Sequence, residues 1–246
     1  MKIIVIGDTH GREIWKNIID VEENFDKIIF LGDYFDSKER INVQHQISNF
    51  KDIVAFKESY ISKVILLFGN HDFHYLNGIS DRYSGFQHSD RKEISKYIND
   101  AYRKSIFSMC DVESPYLFSH AGLTKTWCVN NLTLKDYSNF NSLMEEVNDL
   151  FFCFPLQFKF IHSENGSNTG DDIFQSSIWV RPESLFKDRL DFYTQIVGHT
   201  VQESIDIEKE VILIDTLGSS KEYLVIKNGS LFVKRLKNNY SRKKPC

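Results

Sequence analysis

Seven polar side chains recur at equivalent places along the chain. Asp8, His10, Asp33, Asn70, His71, His120 and His199 each stand a few residues beyond an apolar run, and most follow a glycine. Carboxylates, imidazoles and one amide, with no thiolate, suit Mn²⁺, Fe or Zn²⁺ better than a cysteine-rich structural site would. Six or seven donors are too many for one tetrahedral ion, whereas two ions sharing a bridging carboxylate accommodate them. Ions held about 3.5–4 Å apart hydrolyse bonds at phosphorus by clamping the attacking and leaving oxygens and by lowering the pKa of a bridging water. None of these residues is diagnostic alone, since an Asp after a Gly is usually a turn or a helix cap. The weight lies in five apolar runs that all deliver nitrogen and oxygen donors.

The elements that would gather these donors are legible as a repeated theme. Lys2–Ile6 leads into Gly7-Asp8, Lys27–Leu31 into Gly32-Asp33, and Lys63–Phe68 into Gly69-Asn70. Unbroken apolar runs of this length predict strands buried on both faces. Between them, Ile14, Ile18 and Val21 form one helical stripe, and Ile47, Phe50, Val54 and Ile61 a looser one. The alternation predicts βαβ units of an α/β fold. In such a sheet, ligands collect outside the carboxyl ends of the strands, where all seven residues fall.

Further along, residues 90–109 predict an amphipathic helix carrying Ile94, Tyr97, Ala101 and Ile106. Pro115–Ser119 predicts a strand ending at His120, and Gln195–Val197 one ending at Gly198-His199. Val211–Ile214, Tyr223–Ile226 and Leu231–Val233 predict a β-meander, with Asn228-Gly229 as a tight hairpin turn. Residues 124–176 are the least regular, with a Phe run (Phe151, Phe152, Phe154, Phe158, Phe160) expected in the core. Glu164 and Asp171-Asp172 read as part of a solvated loop, and His45, His88 and His162 as exposed. We expect a single domain over residues 1–236, with residues 124–176 as a cap or rim insert, followed by a basic tail over residues 237–246.

Composition bounds the alternatives. With 246 residues, 41% hydrophobic and 26% charged, the chain is an ordinary globular one, which excludes disordered, collagen-like and rod-like classes. A net charge of −4 argues against broad nucleic-acid binding, which needs a basic surface. No run approaches the ~18–20 apolar residues of a membrane span, and Asp8 interrupts the N-terminal one, so a cytoplasmic protein is expected. Cys110, Cys128, Cys153 and Cys246 form no CxxC pair and read as reduced thiols.

Five blocks then resemble a known family. Gly7-Asp8-Thr9-His10-Gly11, Gly32-Asp33-Tyr34-Phe35-Asp36, Gly69-Asn70-His71-Asp72, Ser119-His120-Ala121-Gly122 and Gly198-His199-Thr200 resemble, in order, those of the calcineurin-like metallophosphoesterases. The resemblance implies a four-layer α/β sandwich of two mixed β-sheets flanked by helices, with the meander in the second sheet. It implies two divalent metal ions, Mn²⁺ foremost, with Fe or Zn²⁺ as alternatives. Asp8, His10 and Asp33 would hold one ion; Asp33, Asn70, His120 and His199 would hold the other, Asp33 bridging. His71 would protonate the leaving oxygen, oriented by Asp36, and a metal-bridging hydroxide would attack.

Departures refine the branch. Val201 stands where many phosphodiesterases of the superfamily carry a second His. With Asp36 and the His-Ala-Gly block, this resembles the phosphoprotein phosphatase branch, which includes bacterial and phage Ser/Thr phosphatases and symmetrical diadenosine tetraphosphate hydrolases. That branch has Arg after the Asp36 equivalent; here it is Ser37, with Lys38 and Arg40 as candidate replacements. Asp72 replaces a usual Glu. Trp179-Val180-Arg181 resembles the branch's second phosphate-binding element, and the planar guanidinium of Arg181 can pair two phosphate oxygens. The expected substrate is a phosphate monoester, on protein Ser/Thr or a small molecule. The alternative is a diadenosine polyphosphate or other nucleotide anhydride; a phosphodiesterase or nuclease is less supported, and so is a non-catalytic scaffold.

Overall fold

The three apolar runs that end in Gly-Asp or Gly-Asn lie side by side in a computed structural model, which describes residues 1–162 and 169–236. β1 (Lys2–Ile6), β2 (Lys27–Phe30) and β3 (Val64–Leu67) pair in parallel, Ile4 opposite Ile28 and Ile29 opposite Ile65. β4 (Phe107–Ser108) extends this sheet beside β3. The second sheet has the order β5 (Cys110–Glu113), β6 (Tyr116–Ser119), β7 (Thr194–Val201) and β8 (Val211–Asp215). β9 (Glu222–Lys227) and β10 (Ser230–Arg235) complete the first sheet, antiparallel beside β1. Both sheets are mixed, as expected.

Alternation along the strands explains the layers. Ile3, Val5, Ile29 and Leu31 of the first sheet share one buried cluster with Phe118, Ile196, Ile212 and Ile214 of the second. The neighbours Ile4, Ile6, Ile28 and Phe30 turn the other way, onto α1 (Ile14–Glu22) and α2 (Val43–Ser59). The outer face of the second sheet packs Val197 and Val211 against Leu185 of α7 (Pro182–Asp188).

Several expectations are corrected. The meander is divided: only β8 joins the second sheet, while β9 pairs with β1 and β10 with β9. The Asn228-Gly229 turn is present, with φ of 51° and 80°. Val21 is exposed, and α1 instead buries Trp15, Ile18 and Glu22. Ile61 is exposed beyond α2, which buries Ile53 in place of Val54. The predicted 90–109 helix is shorter, α4 (Arg91–Arg103), and its last residues become β4. Residues 124–176 hold α5 (Lys125–Asn131), α6 (Phe140–Cys153) and a 3₁₀ turn at Pro155–Phe158. Trp127, Leu143, Val147, Phe151 and Phe158 from this segment enter the main core, whereas Phe154 is exposed. Glu164, residues 237–246 and Cys246 lie outside the described residues. Among the described residues no helix is long and apolar enough to cross a membrane.

One buried charge ties α1 to the sheet. Glu22 accepts the Tyr223 hydroxyl at 2.7 Å and pairs with Lys234 and Lys2, each at 2.8 Å. Burial alone would push its carboxyl up, but these donors outweigh burial and hold it below its ordinary value. A depressed carboxylate stabilises the fold above the unfolded-state pKa and loses that contribution as pH falls through the lower folded-state pKa. Glu22→Gln is therefore expected to cost about 1–2 kcal/mol in urea unfolding at pH 7, with the difference shrinking toward zero below about pH 4.

Candidate active site

Every donor named from the sequence stands where a strand stops or bends. Asp8 and His10 follow β1, and Asp33 and Asp36 follow β2. Asn70 and His71 open α3 (Asn70–Phe73) after β3, and His120 follows β6. His199 lies inside β7, which runs on to Val201, and the pairing with β8 shifts register between Val197 and Val201. Such a bulge re-aims a side chain, here toward the ends of the first sheet. His10, Asp33, Asp36 and His199 all take left-handed φ, between 44° and 62°. For non-glycine residues this costs on the order of 1–3 kcal/mol each, and such strain clusters where function requires it.

The side chains converge. Asp8 accepts the His199 N–H at 2.9 Å, and Asp33 Oδ1 accepts the His71 N–H at 2.9 Å. Asn70 Oδ1 lies 2.9 Å from both His120 Nε2 and His199 Nδ1, and His120 Nε2 lies 3.5 Å from Asp33 Oδ1. His10 Nε2 is 3.7 Å from Asp33 Oδ2. Donor atoms of Asp8, Asp33 and His120 lie within 4.8 Å of one another, and so do those of Asp36, His71 and His74.

The chemistry of this donor set fits a cation. His10 and His120 direct Nδ1 at the carbonyls of Phe35 and Leu31, at 2.6 and 2.8 Å. Burial above all holds both rings neutral, His10 at about 4, so the Nδ1–H donates outward and Nε2 keeps its lone pair. The His120 lone pair then faces the Asn70 and Asp33 oxygens, acceptor against acceptor. A positive ion between them resolves that arrangement. Asp8 agrees: burial, then Asp215 and Asp33, push its carboxyl well up, the mark of acids crowded without a counter-charge.

Asp36 and His71 form a separate pair, Oδ2 to Nδ1 at 3.0 Å. Burial would lower His71, but Asp33 and then Asp36 outweigh it and raise its pKa. Burial works against ionisation of Asp36 too, yet hydrogen bonds from His71 and His74 bring it to about 2. The pairing thus favours a protonated His71 on an ionised Asp36, with Nδ1 taken by the carboxylate and Nε2 not used by it.

Arg181 stands beside the last donor. Its Nη1 donates to Thr200 Oγ1 at 3.1 Å and to the His199 carbonyl at 3.3 Å. Ser37 donates its N–H to Gln46 Oε1 at 3.4 Å, and Lys38 and Arg40 are exposed. Lys38 is near enough for its charge to act on Asp215. His45, His88 and His162 are exposed, as expected.

The sequence marked Asp72 only as a departure within its motif and passed over Asp215, Tyr75 and Gln87. Asp72 is fully buried and accepts the N–H groups of Asp33, Tyr34 and Gly69, at 2.9 to 3.1 Å, locking the second and third donor loops together. Asp215 lies buried at the carboxyl end of β8, so the strand-end rule applied to the last strand of this sheet would have found it. Tyr75 and Gln87 donate to Asp36 and had no spacing signal.

Two glycines leave room for the carboxylates. A Cβ on Gly198 would stand 2.0 Å from Asp8 Oδ1, and one on Gly69 2.2 Å from Asp33 Oδ1. Gly198→Ala must therefore displace Asp8. The expected result is a folded protein whose Mn²⁺ affinity falls at least about tenfold in a calorimetric titration.

Comparison with known sequences agrees with this geometry. The signature of the calcineurin-like phosphoesterases matches residues 1–203. The chain belongs to that family. It is a metal-dependent phosphoesterase. No curated protein matches the sequence closely. Among solved structures, the phosphoesterase is similar to the cold-active protein-tyrosine phosphatase of a psychrophilic Shewanella species. The TM-score is 0.62 and the identity 18%, over 95% of this chain and 77% of that one. It is also similar to a Saccharomyces cerevisiae protein serine/threonine phosphatase, with a TM-score of 0.55 and 13% identity, over 95% and 79% of the two chains. At these identities the likeness shows the fold.

Proposed function

We propose that this phosphoesterase hydrolyses phosphate monoesters, on phosphoprotein side chains or small molecules. The observation that carries the reading is the His71–Asp36 pair at 3.0 Å, set directly beside the convergent donors. A monoester leaves an alkoxide, which needs a proton, and His71 Nε2 would give it. Asp8, His10 and Asp33 would hold one divalent ion, and Asp33, Asn70, His120 and His199 a second. Bound there, Mn²⁺ ions would supply Lewis acidity and an activated water. Arg181 would pair two phosphate oxygens from the His199 side. Lys38, whose charge reaches Asp215, would take the part of the Arg absent at Ser37. Residues 1–236 would work as one domain in the cytoplasm, where the exposed Cys153 stays reduced.

The test is a substrate panel run with Mn²⁺, Zn²⁺ and Fe²⁺. It contains p-nitrophenyl phosphate, peptides bearing phosphoserine, phosphothreonine or phosphotyrosine, and diadenosine tetraphosphate. The expected result is monoester turnover, highest with Mn²⁺. Faster cleavage of diadenosine tetraphosphate would replace this reading with the anhydride one. Stoichiometric metal without any turnover would leave a scaffold. Lys38→Ala is expected to raise KM for the monoester roughly tenfold, the size of one lost charged contact, and Arg40→Ala to leave it unchanged.

A further inference from the structure

We infer that His74 is a positioning residue for the phosphatase reaction, holding Asp36 in the orientation that His71 requires. The inference rests on the monoester reading. Asp36 is approached on both oxygens. Oδ1 accepts the Tyr75 hydroxyl at 2.6 Å and Gln87 Nε2 at 3.1 Å. Oδ2 accepts His71 Nδ1 at 3.0 Å and lies 2.6 Å from His74 Nε2. Two imidazoles thus share one carboxylate oxygen, their planes 84° apart. They approach it at different depths. The His71 side chain is 13% exposed and borders the site, whereas that of His74 is fully enclosed.

The His74 ring is itself held. It stacks on Tyr83 at 5.9 Å and meets the rings of Phe86 and Tyr75 edge-on, at 4.8 and 4.5 Å. Its Nδ1 accepts the Tyr83 N–H at 3.4 Å, which leaves the ring proton on Nε2, the atom against Asp36. A ring so clamped cannot follow the carboxylate; the carboxylate must follow the ring. Tyr75 and Gln87 restrain only Oδ1. Without His74, the oxygen that orients His71 would be restrained by His71 alone, and the leaving-group proton would be less well placed. His74 touches no reacting atom, so it acts through Asp36 and not as a catalytic residue. Partners of this kind are worth about 10–100-fold when removed.

The test combines kinetics with histidine side-chain ¹⁵N NMR of the metal-free protein. His74→Phe keeps a ring among Tyr75, Tyr83 and Phe86 but removes the donor; His74→Gln keeps a donor. His74→Phe is expected to lower kcat on a phosphoserine peptide at least about tenfold with KM and bound Mn²⁺ unchanged. His74→Gln should recover most of the loss, and the loss should vanish in an Asp36→Asn background, where the carboxylate is gone. The wild-type spectrum should show His74 as the Nε2–H tautomer, and His74→Phe should weaken the His71 Nδ1–H resonance. Unchanged kcat in His74→Phe, an equal loss in the Asp36→Asn background, or an Nδ1–H tautomer for His74 would each overturn the inference. The tautomer measurement needs no variant, so it decides even if His74→Phe does not fold. A wild-type protein inactive on every monoester would instead overturn the functional reading, while the spectra would still test the position of His74.

Discussion

Asp33→Asn is expected to abolish turnover, by roughly 10⁴-fold, the scale of loss when the central group of a catalytic set is removed. In the proposed reading Asp33 is the carboxylate shared by both ions. Its Oδ1 lies 3.5 Å from His120 Nε2, on the Asn70 side, and its Oδ2 lies 3.7 Å from His10 Nε2. An amide has the same shape but no charge, and one of its two ends is a donor that cannot face a cation. The backbone should tolerate the change, because Asp33 sits at φ 53°, a conformation that Asn adopts readily. Asn can also still accept the His71 N–H through its carbonyl oxygen. Bound metal measured by mass spectrometry should fall from two ions per chain to one or none. The metal-free variant should melt no lower than wild type, since Asp33 is among the charges that push up Asp8, Asp72 and Asp215. Sites that hold unlike demands together are often stabilised by being disabled. Retention of both ions with kcat within tenfold of wild type would show that Asp33 does not bridge.

That asymmetry between function and stability also explains what the sequence could show. The donors were legible because strand ends, glycines and metal-type side chains coincide, and only a site needs all three at once. Parallel β1, β2 and β3 were legible because both of their faces are buried, leaving unbroken apolar runs. The four-residue-or-shorter strands around Cys110 were not, because β4 and β5 are continuous with a helical pattern that ends at Arg103. α5 and α6 were overlooked although each begins at a side-chain cap, Thr124 and Asn139. Their Phe-rich faces were legible as core but not as helix. The division of the meander was hidden for another reason: β8 and β9 are close in sequence, yet β8 pairs with β7 and β9 with β1. Long-range pairing leaves no local mark. The network around Asp36 was hidden in the same way, since Gln87 reaches it across 51 positions of sequence.

His71→Asn tests the other half of the site, and its expected signature differs from that of Asp33→Asn. Loss of a general acid costs about 10²–10⁴ in kcat. Both ions should remain, because the tie between His71 and Asp33 is made by the His71 backbone N–H, which the substitution keeps. The size of the loss should follow the leaving group. p-Nitrophenolate departs without help, so its ester should lose the least. A serine alkoxide needs a proton as the bond breaks, so a phosphoserine peptide should lose the most. Asp36→Asn should reproduce this ordering more weakly, since it removes one of the carboxylates that raise His71 without removing the ring. Equal losses on both substrates would mean that His71 orients the phosphate and supplies no proton. Loss of an ion in His71→Asn would move the imidazole itself into the metal-binding set.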